Sequence, residues 1–226
     1  MNTKTISQLF APAALLLISS AVSSAAPIAT LNNINWFAEQ GKNKNGTTIT
    51  DPQRNDPMSI FNPSDNKWLS LGFVANSNVG GRVYGTALDG FILSGTFEVR
   101  ETTFGVNSAN YPEGVRLTFS GSLSGASDIV LNLNQTPASC TPGLICSTAV
   151  LNSGTTQWLV SGFDSFAFKQ VEVADITRPL LPAKSTDGFD LGYINATTSA
   201  VPEPSSFLLM TSAGAALVGL ARKFKR

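Results

Sequence analysis

Carboxylates hold most of the chemistry open to this chain, because its 226 residues include no histidine. Without imidazole there is no Ser–His or Cys–His nucleophile, and the commonest general base and transition-metal ligand are missing. Glu98, Glu101 and Asp89 lie along or beside one strand-like run. A glycosidase-type pair needs two carboxyls about 5–9.5 Å apart across a cleft. Glu98 shares a strand face with Arg100, whereas Glu101 points to the other face, so local spacing does not assemble that pair. Solvent-facing strand charges account for all three acids, and the expectation is a protein that is not an enzyme.

Asp187-Gly188-Phe189-Asp190 sets two carboxylates around a turn glycine. Calcium takes oxygen ligands of this kind, and a structural calcium at Asp187 and Asp190 is the one cofactor the residues suggest. The spacing is not that of an EF-hand, and a solvated β-turn explains the same residues. Cys140 and Cys146 are the only cysteines, separated by Thr-Pro-Gly-Leu-Ile. In an oxidising compartment they are expected to form a disulfide that stiffens a hairpin between strands at 129–133 and 148–151. Two thiols supply only half of a usual zinc shell, so no metal is assigned to them. Flat aromatic rings can stack on sugars, and Trp36 and Trp158 are the candidates for that role. Core packing explains aromatics such as Phe91, Phe97 and Phe119 at in-facing positions. Gly80-Gly81-Arg82-Val83-Tyr84-Gly85 lacks the spacing of a dinucleotide or phosphate loop and reads as a turn entering a strand.

The elements that would carry these residues are strands. Phe91, Leu93, Phe97 and Val99 alternate with Ile92, Ser94, Glu98 and Arg100, and the same period of two runs through 115–120, 129–134 and 171–173. Further short apolar runs stand at 34–38, 58–61, 68–74, 158–160, 166–168 and 189–194, nearly all bounded by Gly, Pro, Asn or Asp. Charged residues are only 13% of the chain and no internal segment keeps a helical period. The fold class expected is all-β: an antiparallel β-sandwich or jelly-roll-like domain. No repeat of about 40 residues supports a propeller.

The two ends differ from this middle. Residues 1–25 combine Lys4, an apolar run from about Leu9 to Ile18 and small residues at Ser23 and Ala25. That is the pattern of a secretory signal peptide, removed by signal peptidase after passage through the secretion machinery. At the other end, Val201-Pro202-Glu203-Pro204 precedes the uncharged stretch 205–221 and the basic end 222–226. Seventeen residues at ~1.5 Å each reach about 26 Å, the lower limit for a transmembrane helix. The basic end would stay cytoplasmic and leave the preceding domain outside. The exported part, 26–200, holds 10 basic and 14 acidic residues, a net charge of −4. With no basic stretch in it, nucleic acid is not an expected partner.

Val201, Pro202, Glu203 and Pro204, the apolar stretch and the basic terminus, in that order, resemble the PEP-CTERM sorting signal of exopolysaccharide-producing bacteria. The resemblance covers 201–226 only. It implies recognition by an exosortase, a membrane-embedded transpeptidase that cuts near the motif. The product would reach the cell surface or the extracellular space, anchored by its C-terminal helix before processing. Tails of this kind accompany diverse domains, so the resemblance gives a destination and not an activity. The leading expectation is an exported, non-catalytic surface or extracellular-matrix-associated protein. The second is a carbohydrate-binding module for exopolysaccharide, and the third is a carboxylate-dependent hydrolase.

Overall fold

Eleven strands in two antiparallel sheets make up the described part of the computed structural model. The structure describes residues 26–43, 45–65, 67–72, 80–102, 113–133, 140–152, 155–177 and 188–201. The strands are β1 (Ala29–Leu31), β2 (Ile34–Glu39), β3 (Leu69–Ser70), β4 (Arg82–Ala87), β5 (Phe91–Thr102) and β6 (Val115–Ser120). They continue with β7 (Ile129–Leu133), β8 (Ile145–Asn152), β9 (Thr155–Ser161), β10 (Gln170–Asp175) and β11 (Asp190–Ala200). One sheet runs β1-β2-β4-β10-β6-β7 and the other β3-β11-β5-β9-β8. The all-β, two-sheet expectation holds, and among the described residues there is no α-helix of more than a turn. The two segments expected as a signal peptide and a transmembrane helix, 1–25 and 205–221, lie outside the described residues. Among the described residues no helix is long and apolar enough to cross a membrane.

Alternation places the core between the sheets. One row crosses the six-stranded sheet through Trp36, Gly85, Val171, Phe119 and Ile129. A facing row in the five-stranded sheet runs Ile194, Val99, Trp158. Phe97 meets Phe119 edge-on, centroids 5.5 Å apart, and so joins the two layers with the geometry aromatic quadrupoles prefer. Gly85 is small for a reason: a Cβ there would stand 2.8 Å from the Trp36 ring. Between β1 and β2, Asn32 and Asn33 both have positive φ, the two-residue turn whose twist suits a tight hairpin.

Three expectations are corrected here. Residues 59–61 form a 3-10 turn instead of an edge strand, with Ile60 wholly buried. The run 166–168 is likewise no strand, since Ala167 adopts φ 50° just after a second 3-10 turn. The disulfide between Cys140 and Cys146 is present, Cα atoms 5.7 Å apart, but it does not brace a hairpin. β7 and β8 belong to different sheets, so the bridged loop is a crossover between layers.

Candidate functional site

A cleft of about 460 Å³ opens between the outer face of the five-stranded sheet and the segment 51–68. Its floor follows from strand parity. Tyr193, Arg100, Gln157 and Ala149 form one cross-strand row on the outward side. A register shift at Gly192 sets two residues of β11, Gly192 and Tyr193, opposite Arg100 alone. Such bulges re-aim side chains, and here Tyr193 joins Arg100 on the outer face. Gly192 has no room for a side chain, because a Cβ would meet the Thr102 hydroxyl at 2.3 Å.

The wall is a chain of Asx turns. Asp51, Asp56, Asn62 and Asp65 each accept, through Oδ1, the backbone N–H two residues on, at 2.9, 3.0, 3.1 and 3.2 Å. Short polar side chains beside Pro52, Pro57 and Pro63 favour this conformation over helix or strand. The segment is pinned at its ends, where the N–H groups of Trp68 and Ser70 donate to the carbonyls of Gln53 and Arg54, both at 2.9 Å. Ile60 anchors its middle in the core.

Within the cleft the Arg100 guanidinium lies 4.7 Å from the centroid of the Tyr193 ring. Its Nε donates to Glu98 at 2.6 Å, and Gln157 donates to the same carboxylate oxygen. Lys67 pairs with Asp56 at 3.1 Å. The Asp56 carboxyl is held below the usual carboxylate range, first by the Met58 N–H and then by Lys67. Gln53, Asp65, Thr102 and Thr155 complete the polar lining, with Pro63 and Leu151 as apolar walls.

A second group of acids is sealed between the sheets at one end. Glu101 follows Phe97 and Val99 on the inner face of β5 and is 0% exposed, flanked by Leu191 and Thr156. Glu113, Asp175 and Asp190 are buried nearby. Asp175 accepts from the Thr177 N–H at 2.7 Å, and Asp190 accepts from the Ser70 hydroxyl, which itself receives Arg54 Nη2 at 2.9 Å. Glu101 faces the N–H and the carboxyl of Glu113, and neither of its oxygens meets a donor in good hydrogen-bond geometry. Burial first, and then the neighbouring acids, pushes Glu101 up to about 7. Burial and the charge of Glu101 push Glu113 up to about 12. Two desolvated carboxyls this close cannot both ionise, so the pair holds a proton at neutral pH.

No family model, curated protein or solved structure matches the chain.

The candidate residues divide as follows. Trp36 and Trp158 are 2% and 1% exposed, packed on Phe61 and Phe189 at 5.8 Å in each case. As inward members of their strands they offer no ring to a ligand, and the sugar-stacking expectation at these two positions is corrected. Glu101 is a core residue rather than a solvent-facing charge. Glu98 and Glu101 occupy opposite faces of β5. Asp89 pairs with Lys169 at the far end of that strand, roughly 30 Å from Glu101 at a strand's rise per residue. These three therefore share no cleft. Asp190 is buried and hydrogen-bonded rather than solvated in a turn, while Asp187 lies outside the described residues. Among the described residues no three acids or cysteines converge as metal ligands would. Val201 ends the described chain, its N–H donating to Gly90 at 2.7 Å, and Pro202, Glu203 and Pro204 lie beyond it. Tyr193, Gln53 and Asp65 were not picked out by sequence reasoning. The Pro, Asn and Asp residues that bound the run 58–61 signalled turns, but not the sheet they would fold onto.

Proposed function

We propose that the chain is an exported, non-catalytic surface or extracellular-matrix-associated protein. Its tail would be cut by an exosortase-like transpeptidase after signal peptidase has removed residues 1–25. The observation that carries this reading is the order of features at the C-terminus: Val201-Pro202-Glu203-Pro204, an uncharged stretch of bilayer-spanning length, and a basic end. The position of the motif supports it. β11 pairs with β5 through Ala200, so the last described strand leads directly into the motif. Mass spectrometry of the surface or medium fraction should find a species lacking residues 1–25 and the tail beyond about residue 203. Full-length protein in the cytoplasm would overturn the reading.

A further inference from the structure

We propose that the cleft between the 51–68 segment and the outer face of the five-stranded sheet binds a neutral saccharide. The proposal goes beyond export and processing and does not depend on them. Size is the first support: about 460 Å³ lies in the range of small-molecule sites, roughly 300–1,000 Å³. Preorganisation is the second. Tyr193 is fixed by the bulge at Gly192 and by Arg100 over its ring, and Arg100 is itself held by Glu98. The facing wall is locked by its Asx turns and by the burial of Ile60. A site whose walls are already ordered loses little entropy on binding.

Charge decides the class of ligand. Lys67 is neutralised by Asp56 and Arg100 by Glu98, and Asp65 adds a carboxylate to the lining. No positive surplus is left for an anion. A cation would meet both Lys67 and Arg100. What remains is a dense mixture of hydrogen-bond donors and acceptors: the Gln53 amide, the Asp65 carboxylate, the Thr102 and Thr155 hydroxyls and the outer guanidinium nitrogens of Arg100. Set beside an aromatic ring and the apolar Pro63 and Leu151, that mixture matches a molecule with hydroxyls around its rim and C–H faces between them. A polar groove on the other sheet, lined by Arg82, Tyr84 and Glu172, is smaller at about 300 Å³ and has no loop wall.

Affinity gel electrophoresis tests the proposal. The full chain, kept in a polyoxyethylene detergent without sugar headgroups, is run through gels containing laminarin, xylan, dextran or polygalacturonate. At least one of the three neutral polymers should retard it. Tyr193→Ala should weaken that retardation about tenfold and Gln53→Ala about threefold, as loss of a ring contact and of a hydrogen bond imply. Tyr84→Ala, on the opposite sheet, should leave it unchanged. The Gln53 side chain makes no bond that the fold needs, so Gln53→Ala decides the matter if Tyr193→Ala does not fold. Absence of retardation by every neutral polymer overturns the proposal. So does retardation by polygalacturonate alone, retardation that survives the cleft substitutions, or retardation that Tyr84→Ala abolishes.

Discussion

Glu101 and Glu113 make the stability of this protein depend on pH in an unusual direction. Both carboxyls are raised above their ordinary value of 4.5, Glu101 to about 7 and Glu113 to about 12, with burial as the largest cause. The folded state thus binds more protons than the unfolded state above pH 4.5. Stability is complete below that value and declines as pH rises, with both groups contributing up to about 7 and Glu113 beyond. Glu101→Gln removes a charge that burial penalises most and leaves the shape nearly unchanged. We predict that it raises the unfolding free energy at pH 8, read from denaturant titration, by on the order of 1–3 kcal/mol and flattens the decline between pH 5 and 7. A lower midpoint at pH 8 would show that the carboxylate has a partner that the amide cannot replace. Strand parity was legible in the sequence at this position, since Glu101 keeps step with Phe97 and Val99. Its burial was not, because parity assigns a face without saying how far the opposite sheet extends over it. The same gap explains Trp36 and Trp158. Each was recognisable as a large amphipathic ring, but only the facing layer makes it core.

At the scale of elements, period-two runs disclosed β5, β6, β7 and β10, and short apolar runs bounded by turn residues disclosed β2 and β11. Partnership between strands was less legible. β7 and β8 are separated by a short Pro-Gly segment that resembles a hairpin connection, yet they close different sheets. Each strand's edge chemistry suits either layer, and the choice rests on long-range pairing of β8 with β9 and of β7 with β6. The Cys140–Cys146 bridge therefore closes a small loop at a layer crossing and holds no two strands together. A loop of about seven residues, released in the unfolded chain, is worth roughly 2 kcal/mol by the chain-entropy relation. The double substitution Cys140→Ser, Cys146→Ser should accordingly lower unfolding free energy by about that amount while both sheets remain intact by circular dichroism. Loss of folding altogether would mean that the bridge is needed to set the crossover. The cleft wall is the other element whose placement depended on tertiary structure. The Pro, Asn and Asp residues around the run 58–61 foretold turns, and only the burial of Ile60 decides where those turns sit.

For the molecule as a whole, the distribution of charge matters more than its sum. Residues 26–200 carry a net charge of −4, with 10 basic against 14 acidic residues, but no charged residue occurs from Ile129 through Phe163. That segment includes β7 and β8, each an edge strand of its own sheet. Edge strands expose unpaired N–H and C=O groups, and proteins usually protect them with lysine, proline or a bulge. Here Ile145 is 69% exposed and Val150 56% exposed on β8, and Val130 is 52% exposed on β7. Among the described residues, the shift between Val150 and Asn152 is the one break in the regular β8 edge. Repulsion between acidic copies is therefore weakest at the surface best able to add a strand. If edge pairing governs association, one lysine on β8 should suppress it far more than a lysine placed elsewhere. We predict that Ile145→Lys raises the onset temperature of light scattering on heating by several degrees or more, whereas Leu123→Lys has little effect. Leu123 is a fair control, because it is 54% exposed but sits in a turn with no ladder to extend. Equal protection by the two lysines would assign the effect to net charge, and with it the view of β8 as the edge that governs association would fail.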